Sequence, residues 1–320
     1  MFEASKPGAG EQIGFLLVPG FSAMAFFSAI EPLRVANRLA GRQLYSWRIY
    51  ALESDRIEAS NGMRLVADST FGTECAPTLI VCAGFHPERA ESKSTLATLR
   101  KVARAGVRLG ALDTGAHVLA KAGLLDGLRV SIHWEAAPAF QEQFPQTRVT
   151  GELFEVSDRI FTCAGGTAAL DLMLAMIGAR HGQALASAIS EQFIHDRIRT
   201  SHDHQRMELA ARLQIHNEKV LQVVELMERC IEQALDIAAL AQAVSVTPRQ
   251  LERLFLSSLG QSPSRYYRKL RLDRAQHLLR ETGLPVVQVA VATGFNSVSS
   301  LARAYRECYG CSPSSDRRGA

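Results

Sequence analysis

Over the first two hundred residues the apolar positions fall into short unbroken runs, separated by longer stretches that are apolar every third or fourth position. The runs at 13–18, 47–52, 78–83, 107–112 and 159–164 read as strands buried on both faces. The stretches at 22–40, 93–104, 114–122 and 167–179 read as helices. Strand and helix alternate, which predicts an α/β domain with a doubly wound, mostly parallel sheet and helices on both faces. Ligands of such sheets bind beyond the carboxyl ends of the strands. That edge would carry Pro19-Gly20-Phe21, Gly84-Phe85-His86, Asp113-Thr114-Gly115 and Gly165-Gly166-Thr167.

The last third is patterned differently, and it repeats. At an offset of 50, Leu251-Glu-Arg-Leu-Phe255 falls on Leu301-Ala-Arg-Ala-Tyr305, and Gly260-Gln-Ser-Pro263 on Gly310-Cys-Ser-Pro313. Upstream the offset is 49, with 240–246 falling on 289–295. Each copy reads as a short helix, a tight turn and a longer helix. In the first copy Thr247 is the expected N-cap and Pro248 the first helical residue. Leu251, Leu254 and Phe255 would point inward, and Arg249, Gln250, Glu252 and Arg253 outward. In the second copy Gly294 supplies the turn, Leu301, Ala304 and Tyr305 point inward, and Ser297, Ser299, Ser300, Arg303 and Arg306 face out. Residues 263–281 read as one long connecting helix. Two helix-turn-helix units joined by a stiff connector can place their second helices in successive major grooves, about 34 Å apart.

Charge sharpens this picture. Residues 1–216 hold 22 Lys and Arg against 22 Asp and Glu, whereas residues 217–320 hold 14 against 10, so the whole net charge of +4 lies in the last third. Between Ser245 and Arg280 eight cations face only Glu252 and Asp273. A local basic patch on an otherwise neutral chain is the footprint of a polyanion. The candidate base or phosphate contacts are Arg249, Gln250 and Arg253 from the first unit and Ser297, Ser299, Ser300 and Arg303 from the second. The expected partner is double-stranded DNA.

Composition excludes several classes. With 47% hydrophobic and 21% charged residues, the chain is neither disordered nor collagen-like nor a coiled coil. Its most apolar stretch, 167–179, is interrupted by Asp171 and falls short of the roughly 20 residues of a membrane span. MFEASKPGAGEQ lacks a basic-then-apolar leader pattern, so a cytoplasmic location is expected. The six cysteines are scattered; Cys308-x-x-Cys311 has no second ligand pair beside it, and neither a metal nor a cofactor is expected. The polar run 199–206 reads as a linker, with His202 and His204 solvated, which divides the chain into domains at 1–200 and 217–320 with 201–216 between them.

Residues 251–267 (LERLFLSSLGQSPSRYY), 270–279 (LRLDRAQHLL) and Ala292-Thr-Gly-Phe295 resemble the DNA-binding domain of AraC/XylS transcription regulators. One departure is Leu301, where that family commonly places an aromatic residue. The strand-turn-helix Leu109-Gly-Ala-Leu-Asp113-Thr-Gly-Ala-His117 has the shape of a nucleophile elbow. Together with Ala120-Lys-Ala-Gly-Leu-Leu-Asp-Gly127, His133-Trp134 and Gly165-Gly-Thr-Ala-Ala-Leu-Asp171, it resembles the class I glutamine-amidotransferase-like (PfpI-type) fold, in the GlxA-like branch of AraC regulators. The resemblance implies a flavodoxin-type sheet followed by an all-α domain with two helix-turn-helix units. It also implies a transcription activator that binds promoter DNA as a homodimer, contacts RNA polymerase and answers to a small-molecule effector.

The elbow decides between enzyme and sensor. Enzymes of the resembled fold carry a nucleophilic Cys there, and this chain has Asp113. A carboxylate does not replace a thiolate in thioester chemistry. Cys82 and Cys163 lie within apolar strand runs and read as buried hydrophobes, and His117 as a structural or pocket histidine. A dead elbow can still be a pocket. Asp113, Glu31 and Glu135 would bring carboxylates to the strand edge, with Phe21, Phe85, His133 and Trp134 around them. Carboxylates beside aromatic faces suit a ligand with a cationic nitrogen. The resemblance points the same way, to regulators of glycine betaine, carnitine or arginine catabolism. Two other classes stay open at this point: a PfpI-type amidase or hydrolase with a DNA-binding tail, and a ligand-free architectural DNA-binding protein.

Overall fold

The computed structural model describes residues 10–281 and 284–318. Of the amino-terminal run read for a leader pattern, residues 1–9 lie outside the described residues. The chain divides into two compact units, one ending at Gln205 and the other beginning at Arg206.

The first unit runs β1 (Glu11–Leu17), α1 (Ala23–Ala40), β2 (Tyr45–Ala51), a hairpin of β3 (Arg56–Glu58) and β4 (Arg64–Val66), β5 (Ser69–Thr70), β6 (Thr78–Cys82), α2 (Lys93–Arg104), β7 (Arg108–Leu112) and α3 (Gly115–Lys121). It continues through β8 (Arg129–Val130), α4 (Ala137–Gln143), β9 (Arg148–Val149), β10 (Phe154–Val156), β11 (Ile160–Cys163), α5 (Ala168–His181) and α6 (Gln183–Gln192). The main sheet has the order β10-β11-β7-β6-β1-β2-β5. Every neighbouring pair is parallel except β10 with β11, as an α/β doubly wound reading requires. Because successive side chains alternate across the sheet, Phe15, Leu17, Ile80 and Cys82 pack with α1 and α5, while Leu16, Leu79, Val81 and Leu109 pack with α2 and α3. Both faces are covered, so the strands are continuously apolar.

Local signals set the helix ends. Ser22 caps α1 by accepting from the Ala25 N–H at 3.4 Å, and Gly41 closes it in the left-handed region at φ 62°. The short strands β3 to β5 and the helix α6 were not legible as elements in the hydrophobic pattern.

The second unit is helical: α7 (Leu209–Leu213), α8 (Glu218–Arg229), α9 (Ile237–Ala243), α10 (Pro248–Leu259), α11 (Pro263–Glu281), α12 (Val286–Ala292), α13 (Val298–Tyr309) and α14 (Pro313–Arg318). The connecting helix expected over 263–281 is α11, with the bounds that the pattern indicated. Leu251 and Phe255 of α10 and Tyr267 of α11 close one core with Val220, Val224 and Met227 of α8. Leu301 is fully buried, so the aliphatic side chain at the position of an expected aromatic is accommodated.

The stretch expected as a linker is not free chain. Asp171, fully buried, accepts from the Arg199 backbone N–H at 2.7 Å and its Nε at 2.8 Å, and pairs with His195 Nε2 at 2.9 Å. Gln205 Nε2 donates to the carbonyls of Ile132 and Glu152, and His202 pairs with Glu152 at 3.0 Å. On the other side of the division, Arg212 pairs with Glu228 at 2.6 Å. Among the described residues no helix is long and apolar enough to cross a membrane.

Candidate functional site

The four loops at the carboxyl edge of the sheet meet closely. Phe85 N–H donates to the Gly20 carbonyl at 3.1 Å, and Thr114 Oγ1 donates to the Gly84 carbonyl at 2.6 Å. A Cβ on Gly84 would stand 2.6 Å from the Gly20 oxygen, so this approach excludes any other residue there. At the centre is Asp113, in the left-handed region at φ 59°, the turn that exposes an elbow side chain. Its N–H donates to the Cys163 carbonyl at 3.0 Å.

Burial pushes the Asp113 carboxyl up to about 6; the charge of His133 and hydrogen bonds from the Ser22 hydroxyl and the Thr114 N–H oppose the rise, and Glu135 adds to it. His133 Nδ1 stands 3.8 Å from a Glu135 oxygen, and its ring lies 5.6 Å from that of Trp134. Phe85 is 60% exposed and Trp134 39%. The structure therefore draws Asp113, His133 and Glu135 into one electrostatic group, with Trp134 beside the imidazole and Phe85 on the neighbouring loop. Ser22, which the sequence reading did not single out, joins them; its place as an N-cap was the only signal.

Two expected members fall away. Phe21 is fully buried and packs edge-on against Phe26 at 5.8 Å; it belongs to the core, although its backbone bridges Gly84. Glu31 lies eight residues beyond the first residue of α1, about 12 Å along the axis, where it pairs with Arg34 at 2.7 Å. His117 does not reach the elbow either. Its Nε2 pairs with Glu91 at 2.8 Å, its ring packs on Phe144 at 5.1 Å, and burial lowers its pKa. The thiols of Cys82 and Cys163 are buried, and burial pushes Cys163 up to about 12 and Cys82 higher still. Neither is available as a thiolate.

In the second unit both longer helices of the repeat open with a reciprocal capping box. Thr247 Oγ1 accepts from the Gln250 N–H at 3.2 Å while Gln250 Oε1 accepts from the Thr247 N–H at 2.9 Å. Ser297 and Ser300 do the same at 3.1 and 3.3 Å. Of the seven expected contacts, Gln250, Ser297 and Ser300 are thus engaged in holding helix ends. Arg249, Arg253, Ser299 and Arg303 are exposed, with no side-chain partner among the described residues.

The connector's charge is also partly spent inside the unit. Arg271 donates Nε to the Thr293 carbonyl at 2.8 Å, donates Nη2 to the Gly294 carbonyl, and lies 4.3 Å over the Phe295 ring. Lys269 pairs with Asp273 and Arg280 with Asp316. Arg265 and Arg268 remain exposed, Arg268 only 3.5 Å from Glu307.

Known proteins match both units. Residues 11–179 match the DJ-1/PfpI family model, and residues 240–319 match a helix-turn-helix domain model. The chain is similar to the HTH-type transcriptional regulator CdhR of Pseudomonas aeruginosa, with 50% identity over 95% of this chain and 90% of that protein. It is also similar to the HTH-type transcriptional regulator GbdR of Pseudomonas aeruginosa, with 44% identity over 97% of this chain and 84% of that protein. Among solved structures, an AraC family transcriptional regulator from Pseudomonas putida superposes with a TM-score of 0.53 and 29% identity, over 57% of this chain and 99% of that one. With an elbow that carries a carboxylate and two capped, arginine-bearing helices, the chain belongs to the AraC-type DNA-binding transcription regulators whose N-terminal domain has the DJ-1/PfpI fold.

Proposed function

We infer that this regulator senses a small cationic or zwitterionic nitrogen metabolite at the Asp113 elbow and answers by changing its action at promoter DNA. The observation that carries the reading is the half-buried Asp113 carboxyl at the elbow, with Glu135 and His133 in its field and the exposed rings of Phe85 and Trp134 nearby. A cationic nitrogen adds to the favourable field of His133 at this carboxylate, and the rings add cation–π attraction. The same elbow supports a non-catalytic role, since Asp113 stands where an acyl-transfer enzyme of this fold needs a thiolate, and both nearby thiols are buried and protonated.

On the DNA side, Arg249 and Arg253 of the first unit and Ser299 and Arg303 of the second are the side chains free to reach bases or phosphates. Gln250, Ser297 and Ser300 position the helices instead. A homodimer that activates transcription through RNA polymerase completes the proposal on the strength of the sequence resemblance alone.

Thermal denaturation of the full chain against betaines, carnitine and basic amino acids tests the sensing role. A ligand at 100 times its Kd adds about 2.7 kcal/mol of stability. A shift with one of these compounds that vanishes in Asp113→Asn supports the reading; an equal shift in that variant sinks it.

A further inference from the structure

The exposed face of α10 carries a residue that the electrostatics of DNA binding does not explain. Glu252 lies between Arg249 and Arg253, is exposed, and has no ion pair or side-chain hydrogen bond among the described residues. Set against phosphates, a carboxylate weakens binding, and Arg249, Arg253 and Arg265 are exposed in the same stretch of chain. The capping boxes make α10 and α13 superposable residue for residue, Thr247 on Ser297 and Gln250 on Ser300. In that register Arg253 falls on Arg303, Arg249 on Ser299, and Glu252 on Ala302. The two units therefore share one arginine and differ at the position of the carboxylate.

We propose that Glu252 is a specificity-determining residue that reads cytosine in the half-site bound by α10, and that the second unit, with Ala302, makes no such demand. In the major groove, cytosine offers the N4 amino group as its hydrogen-bonding contact, a pure donor, and a carboxylate is a pure acceptor. Thymine and guanine present acceptors there and repel it, and adenine sets its N7 acceptor beside its N6 donor, so only cytosine offers a donor alone. The N-terminal turns of a recognition helix are the part that meets base edges, and Glu252 is the fifth residue of α10. The flanking Arg249 and Arg253 offset its charge against the backbone. Two half-sites of unequal sequence give the operator a direction, which orients the chain on DNA. The inference rests on the contact surface proposed above for α10.

Selection from a library of randomised duplexes by the full chain tests it, with wild type, Glu252→Ala, Glu252→Gln and Ala302→Glu run in parallel. The wild-type motif should contain one cytosine favoured about tenfold or more over the other bases. In Glu252→Ala that preference should fall to near parity with the other positions unchanged, while affinity for random competitor duplex rises. Glu252→Gln should move the preference to adenine, because an amide pairs with N6 and N7. Ala302→Glu should add a cytosine about one helical turn away. A Glu252→Ala motif identical to that of wild type overturns the proposal and leaves α10 as a DNA-contacting helix. A wild-type chain that selects no sequence overturns the contact surface itself.

Discussion

Gly165 and Asp113 are in backbone contact: a Cβ on Gly165 would stand 2.7 Å from the Asp113 Cβ and 2.9 Å from its Cα. The loop after β11 thus forms one wall of the elbow after β7, and Gly165 is held at φ 85°, a region that a side chain disfavours. Gly165→Ala is expected to cost stability through both strain and contact, on the order of 1–3 kcal/mol, and to displace Asp113. Thermal denaturation and effector titration check this. An unchanged melting temperature together with a normal response would show that the two loops are not coupled.

The position of Asp113 also sets a pH dependence. Its carboxyl is raised from 3.8 to about 6, so between those values the folded chain holds a proton that the unfolded chain has released. Its contribution to stability is therefore present below the unfolded value and is lost as pH rises through about 6. Asp113→Asn, which cannot ionise and tolerates a positive φ, should match wild type near pH 4 and melt higher at pH 8, by at most about 3 kcal/mol of stability. Binding of a cationic effector should run the other way in wild type, strengthening as pH rises through about 6. Calorimetric titrations across pH 5–8 with any compound that shifts the melting curve would show it; an affinity flat with pH would not fit an ionised Asp113 as the ligand's counter-charge.

Two arginines of the second unit should fail differently. Arg253 is exposed on α10, so Arg253→Ala should leave melting unchanged while weakening DNA binding and lowering its salt dependence by about one counterion. Arg271 ties α11 to the turn before α13, and its loss strands two carbonyls and uncovers Phe295. Arg271→Ala should cost about 1–3 kcal/mol, and Arg271→Lys should rescue little, because an ammonium does not reproduce the flat fork of a guanidinium. Parallel melting curves and gel-shift titrations separate the two. Equal melting temperatures for wild type and Arg271→Ala would refute the staple.

Much of this was legible in one dimension. Thr247 and Pro248 mark the start of α10, the pattern over 263–281 marks α11, and the unbroken apolar runs mark the central strands, because capping, helical periodicity and two-sided burial all act over a few residues. The elbow turn at Asp113 was readable for the same reason. Which side chains meet was not. Phe21 stands beside the elbow in sequence terms, yet the chain turns its ring into the core against Phe26. Glu31 is spent on Arg34, and Arg271, one positive charge among several on the connector, turns inward to two carbonyls. Arg199 belongs to a polar run that reads as solvated linker, but it reaches across 28 positions of sequence to the buried Asp171. Periodicity and caps are local, and so the sequence by itself determined the central strands, the main helices and the repeat, while its resemblance to AraC regulators gave the regulator class. The membership of the elbow, and the division of the charged residues into those that bind outward and those that hold the fold together, depend on contacts between distant segments, which only the tertiary structure decided.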